Sequence, residues 1–286
     1  MLAQRAPFRS SVDLVSLPVT VTGEGGKYIG GLSAEDFTIF EEGKPQSLSL
    51  FERESSPLAV SLLIDSSGSM QHELGQAQKA ASDFVARLRP GDVARVVDFD
   101  RRVQVLQGFT DNRELLDLAI HRLAARGSTS MYNAIYIALR ERGGLASPQT
   151  ERIRRDVVVV LSDGEDTSSL VTFDQLLDAA KRSQTVIYGI GLGLGAEPRR
   201  RHSMPPEVAL RTLARETGGR LFLPKDGKGL SDVYTAIAEE LASQYVLGYT
   251  SNNPERPGWR RVTVRVVRPG AQARTRPGYY AASGRR

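Results

Sequence analysis

The spacing of hydrophobic residues changes twice along this chain. Between residues 12 and 52 apolar side chains alternate. Val12, Leu14, Val15, Leu17, Val19 and Val21 give a nearly strict period of two, which predicts a half-buried strand, with Pro18 marking an edge. Gly25 and Gly26 predict a turn, residues 37–40 a second strand, residues 42–44 another turn, and Leu48 and Leu50 a third strand. From Leu58 the pattern lengthens. Residues 58–64 form a continuous apolar run, as expected of a strand covered on both faces. Leu74, Ala77, Ala81, Phe84, Val85 and Leu88 then recur on one helical face. Further strands are expected at 93–99, 103–106, 157–161, 185–190 and 221–223, and helices at 115–123, 135–139, 173–180, 208–213 and 230–241. After Tyr245 alternation returns: Val262, Val264 and Val266 interleave with Arg261, Thr263 and Arg265. Pro269-Gly270 turns the chain, and residues 273–280 are expected to pair back as one strand.

Alternating strands and helices predict an α/β, doubly wound, mostly parallel sheet, here residues 56–244. Neither residues 1–55 nor residues 245–286 could bury a core alone, but together they could. The expected architecture is therefore a discontinuous all-β, sandwich-like domain built from both ends, with the α/β domain inserted in it.

Composition removes several chemistries. The chain has no cysteine, which excludes disulfides, thiol nucleophiles and thiolate metal sites. The only histidines are His72, His121 and His202, and no two lie four apart as a helical zinc site requires. No apolar run approaches the roughly 20 residues of a membrane helix. The net charge of +5 is unevenly placed: nine arginines and no acid follow from position 256, so the remainder carries 5 − 9 = −4. The basic balance belongs to one end and does not argue for nucleic-acid binding by the body. Residues 1–11 lack the charged and apolar regions of a secretory signal, although Ala3-Gln4 would be compatible with a trimmed one.

Three segments are rich in hard oxygen: Asp65-Ser66-Ser67-Gly68-Ser69, Gly127-Ser128-Thr129-Ser130, and Ser162-Asp163-Gly164-Glu165-Asp166. In open α/β sheets, ligands bind beyond the carboxyl ends of strands, where the first and third segments fall. Asp65, Ser67 and Ser69 form a D-x-S-x-S pattern, Thr129 lies in Gly-Ser-Thr-Ser-Met-Tyr-Asn-Ala, and Asp163 lies in Leu-Ser-Asp-Gly. Singly, Ser69 or Asp163 could simply cap a helix or make a turn. Together the five resemble the metal-ion-dependent adhesion site of the von Willebrand factor type A fold. The flanks, from Val12-Asp-Leu-Val-Ser-Leu-Pro-Val-Thr-Val through Gly31-Leu-Ser-Ala-Glu-Asp-Phe, Glu42-Gly-Lys-Pro-Gln and Ser243-Gln-Tyr-Val-Leu-Gly-Tyr to Pro277-Gly-Tyr-Tyr, resemble a bacterial group related to that family. Ser128 departs from the Gly commoner there, as does the 199–202 loop.

The resemblance implies a non-enzymatic adhesion module outside the cytoplasm. Mg²⁺, or else Mn²⁺ or Ca²⁺, would be held by Asp65, Ser67, Ser69, Thr129 and Asp163, and would capture an Asp or Glu carboxylate of a protein partner. A hard cation suits hydroxyl, carboxylate and water oxygens. The alternative is a metal-free scaffold that binds through the β-domain. Partner identity, oligomeric state and any ligand-driven shift of the 230–245 helix stay open. Competing motifs are weaker. Gly191-Leu-Gly193-Leu-Gly195-Ala196 mimics a dinucleotide loop, but Pro198 and three arginines stand where a helix should open. Asp98-Phe-Asp100 mimics a phosphatase motif and reads better as a strand end. His72 reads as exposed, and the 199–201 and Arg261/Arg265 arginines as solvated.

Overall fold

The computed structural model describes residues 14–53, 56–141, 154–194, 204–253 and 257–281. Val12, the leader reading of 1–11 and the 195–202 loop with its glycine and arginines lie outside the described residues. Four strands come first: β1 (Leu14–Thr22), β2 (Phe37–Glu41), β3 (Lys44–Gln46) and β4 (Leu48–Glu52). An α/β series follows, opening with β5 (Leu58–Asp65), α1 (Leu74–Ala86), β6 (Val93–Phe99), β7 (Val103–Thr110) and α2 (Arg113–His121). It continues through α3 (Met131–Arg140), β8 (Arg155–Ser162), α4 (Phe173–Arg182) and β9 (Val186–Gly191). It closes with α5 (Pro206–Thr217), β10 (Leu221–Phe222) and α6 (Leu230–Ser243). Then come β11 (Tyr245–Thr250), β12 (Gly258–Val266), β13 (Gln272–Arg274) and β14 (Gly278–Ala281).

The α/β series builds a six-stranded sheet in the order β10-β9-β8-β5-β6-β7, parallel except for β7. All eight residues of β5 are buried. Its side chains still alternate between two cores. Leu58, Val60, Leu62 and Ile64 pack in one cluster with Phe84, Leu116 and Tyr234, while Leu63 joins Ile135, Leu176 and Leu210 on the other face. The continuous apolar run is thus a period-two strand with a helical layer on each side. From β5 the chain steps first to β6 on one side and later to β8 on the other. The carboxyl ends of β5 and β8 therefore flank the crevice where this topology receives ligands.

The flanking strands form two antiparallel sheets, β13-β1-β11-β4 and β14-β12-β2-β3. They share one core: Leu17, Val19 and Val21 from β1, Phe37 and Ile39 from β2, Tyr245, Leu247 and Tyr249 from β11, and Val262 from β12. Residues from both ends of the chain therefore complete a single sandwich. β13 reaches only Thr20–Thr22, so β1 has one paired side at Pro18 and the edge reading holds there. The turn at 42–44 is tighter than expected. Glu42 and Gly43 adopt φ 48 and 79, and Lys44 already pairs with Glu41. Residues 273–280 do not return as one strand. Ala273 pairs with Val21 of β1, and only Gly278–Ala281 pairs with β12. Between them Arg276 is held by the carbonyls of Lys181 and Gly278, which carries the chain across from one sheet to the other.

Several arginines of the basic end are internal. Arg260, only 3% exposed, pairs with Glu41, itself 3% exposed. The Glu41 carboxylate also accepts from Tyr249 (2.8 Å), Tyr279 (2.8 Å) and Ser251 (2.7 Å). Burial pushes its pKa up, but the Ser251, Tyr249 and Tyr279 hydroxyls and the Arg260 charge outweigh burial and hold it below 4.5. A depressed folded pKa gives stability that is present above the unfolded value and lost as pH falls through the folded value. Urea unfolding, followed by the single tryptophan, Trp259 of β12, should show the sandwich weakening below pH 4.5. Glu41→Gln should flatten that dependence; an unchanged profile would contradict the assignment.

A second buried polar hub joins the sandwich to the α/β domain. Glu240 of α6 is fully buried and accepts from Tyr188 (2.5 Å), Tyr28 (3.3 Å), Thr20 (3.5 Å) and Arg274 (2.5 Å). Gln244, the one residue between α6 and β11, donates to Thr20 and Tyr188 and accepts from Arg155. Burial, and then the Glu240 charge beside it, drive the Tyr188 hydroxyl pKa well up, so it stays a donor to Glu240.

Candidate functional site

Asp65 is the last residue of β5, and its side chain is withdrawn from solvent. One carboxylate oxygen accepts from the Ser67 backbone N–H (2.8 Å), which fixes the sharp exit from the strand, and the other accepts from Ser162 Oγ (2.5 Å). The chain then makes a short 3-10 turn, Gly68–His72, plugged by the fully buried Met70. That plug fixes the register of Ser67 and Ser69, whose hydroxyls lie 3.1 Å apart. Ser69 Oγ donates to Asp163 Oδ1 at 2.9 Å. Four of the five expected residues, Asp65, Ser67, Ser69 and Asp163, are thus linked in one hydrogen-bonded chain spanning the ends of β5 and β8.

Thr129, 5% exposed, joins through the backbone. Its carbonyl accepts from Thr167 N–H (2.9 Å) and Ser168 N–H (3.0 Å), and its own N–H donates to Thr167 Oγ1 (3.2 Å). Gly68 N–H donates to the Gly127 carbonyl at 3.1 Å, tying the first loop to the second. Ser128, where the resemblance favours Gly, uses its hydroxyl to reach Ser168 Oγ at 2.5 Å. The Asp166 carboxylate caps the first turn of α3 by accepting from Tyr132 N–H (2.7 Å). The three oxygen-rich loops are therefore one stitched surface. His72 is exposed, as expected.

The electrostatics are unusual for a surface crevice. Burial raises the Asp65 pKa to about 6, with Asp163 adding repulsion. Burial raises that of Asp163 too, and Glu73 adds to it. Among the described residues, neither carboxylate pairs with a lysine or arginine. A buried acid and a half-buried one beside hydroxyl lone pairs, with no lysine or arginine paired to either among the described residues, are a donor set that fits a hard cation. Among the described residues no three His, Cys, Asp or Glu side chains gather as a metal cluster, so any cation here would rest largely on hydroxyls and water.

Sequence reasoning missed the supporting residues. The sequence pattern marks Ser162 only as part of an oxygen-rich loop, yet its hydroxyl holds Asp65. The sequence marks Asp98 only as a strand end. It is that, and its carboxylate also accepts from Ser66 Oγ and pairs with Arg126. Burial raises its pKa against both. Leu170, 92% exposed, stands on the third loop with its N–H held by Asn133 Oδ1. No apolar periodicity marks it.

Residues 60–165 match the von Willebrand factor type A domain family. A UPF0353 protein of Nocardia farcinica (strain IFM 10152) is 25% identical over 221 residues, 67% of this chain; the chain spans 64% of that relative's length. The structure of a von Willebrand factor type A protein from Catenulispora acidiphila superposes with a TM-score of 0.56 at 14% identity, over 96% of this chain and 75% of its own. Proximal thread matrix protein 1 from the mussel byssus, solved with a zinc-occupied MIDAS motif, gives 0.54 at 18% identity, over 70% of this chain and 49% of its own. At these identities the structural likenesses establish the fold.

Proposed function

We propose that this chain, a von Willebrand factor type A domain protein, is a non-enzymatic binding module that works outside the cytoplasm and captures a carboxylate of a protein partner through a divalent cation. Asp65, Ser67, Ser69, Thr129 and Asp163 would hold the ion, with Mg²⁺ the best match to neutral hydroxyls and few direct carboxylates. The bound ion would supply an electrophilic position that an Asp or Glu oxygen can fill. The observation that carries this reading is the hydrogen-bonded chain Asp65–Ser67–Ser69–Asp163, with both carboxyl pKa values raised and neither acid paired with a lysine or arginine among the described residues. The protein's own residues do the positioning: Ser162 and the Ser67 N–H orient Asp65, and the loop-to-loop bonds set the distance between the two acids.

The test is a thermal or urea melt in Mg²⁺ and in chelator. At a metal concentration 100-fold above the dissociation constant, wild type should gain about 2.7 kcal/mol. Asp65→Ala should fold, since it removes a buried acid that pairs with no lysine or arginine among the described residues and takes away no apolar core contact, and should gain nothing from Mg²⁺. Wild type and variant that melt alike with and without the metal would sink the reading.

A further inference from the structure

A second polar depression adjoins the candidate cation site across the second loop. Its wall contains Asp98, Asp100, Arg101, Arg102, Arg126 and Ser128. The two acids are already engaged. Asp98 accepts from Ser66 and pairs with Arg126, and Asp100 accepts from the Arg102 N–H (2.6 Å) and pairs with Arg126 Nε (3.2 Å). Arg126 is thereby spent on two carboxylates. Arg101 and Arg102 are exposed, and among the described residues their guanidinium groups form no ion pair. The depression therefore carries an excess of uncommitted positive charge beside a crevice that is otherwise acidic.

Its walls are continuous with the proposed metal loops. Ser66 accepts the Arg126 N–H (2.6 Å) and precedes Ser67; Ser128 precedes Thr129; Ser130 Oγ donates to the Asp100 carbonyl (2.6 Å). One extended residue covers at most about 3.3–3.6 Å, so a peptide with one acid on the cation can set another in the depression a few residues away. A guanidinium presents a planar fork of donors matched to a carboxylate, and those of Arg101 and Arg102 form no ion pair among the described residues.

We infer that this depression is a second, carboxylate-selective subsite, so that the preferred partner segment carries two acids: one for the cation, the other for Arg101 and Arg102. The inference rests on the cation reading for the first acid only. Arg126 holds the pocket in shape through Asp98 and Asp100 and is a positioning residue.

The experiment uses the full chain and labelled synthetic peptides in a Gly/Ser background, with a single Asp or with a second Asp two, three or four positions on. Fluorescence anisotropy is read in Mg²⁺ and in chelator. Arg101 and Arg102 are exposed, so an ion pair with either is solvent-screened and modest, and at least one two-acid spacing should bind about two- to fivefold tighter. The Arg101→Ala/Arg102→Ala double variant should lose that gain and keep its single-Asp affinity and melting temperature. The inference is overturned if all peptides bind wild type equally, if none binds, or if the gain persists in the double variant. A gain that depends on the arginines but ignores chelator overturns the cation reading and leaves the subsite. Mg²⁺-dependent single-Asp binding without a two-acid gain does the reverse. A phosphoserine in place of the second Asp tests selectivity: tighter binding than the best two-Asp peptide would overturn the carboxylate assignment.

Discussion

Removing residues 245–286 should unfold the first 40 described residues while leaving the six-stranded sheet intact. The deletion takes β11 from between β1 and β4, and β12 from beside β2. It strips Tyr245, Leu247, Tyr249 and Val262 from the sandwich core. At about 1.5–3 kcal/mol per buried side chain, four such losses approach the roughly 5–15 kcal/mol that a whole domain commands. The six-stranded sheet keeps all its pairings, because its strands pair only with one another, although α6 loses Arg274 from beside Glu240 and is weakened there. Limited proteolysis with mass spectrometry should give a resistant core beginning near Pro57, with β1–β4 digested. A resistant fragment containing β1–β4 without the sheet would overturn the single-sandwich organisation.

Glu240→Ala should be the most damaging substitution of one residue outside the apolar cores. Glu240 lies on the apolar face of α6, with Leu230, Tyr234, Ile237 and Leu241 as neighbours on the helix. Its loss leaves Arg274, Tyr188 and Tyr28 without their common acceptor. Removing one partner of a buried ion pair costs about 3–5 kcal/mol. Because the hub links two bodies, the loss should also separate their transitions. Trp259 fluorescence, which reports the sandwich, should melt before the helical circular dichroism, whereas wild type should show one coincident transition. A cost under about 1 kcal/mol with coincident transitions would mean that desolvation of Glu240 had cancelled the pair, as it does in some proteins.

The contrast between these residues and the crevice explains what could be read in advance. β5, β8 and the helices announce themselves because burial on a periodic element leaves a periodic trace. The candidate site announces itself because its hydroxyls and carboxylates sit two apart in one tight loop and directly after an apolar strand in another. Glu240 leaves no such trace. Its partners Tyr28, Tyr188 and Arg274 come from three distant segments, so its only local sign is a charge where α6 should be apolar. The division of residues 273–280 between two sheets was equally hidden. It is decided by where Arg274 and Arg276 find acceptors, Glu240 for the first and the Lys181 and Gly278 carbonyls for the second. Leu115 shows the limit of periodicity itself. It falls within the expected helix yet is 44% exposed, because the buried face of α2 runs through Leu116, Ala119 and Ile120.

The seam between β1 and β11 also sets a clock. Thr20 bonds to Gln244, 224 positions further on. At the usual 5–20 residues per second of synthesis, β1 waits roughly 10 to 45 s for its neighbour. Meanwhile β5 to β10 have all the partners their sheet needs and can close first. During that interval Leu17, Val19 and Val21 are an apolar strand with nothing to pair against, the condition under which chains pair with each other instead. Pro18, which removes a backbone donor from the middle of the waiting strand, makes it a poor template for a second copy until β11 arrives.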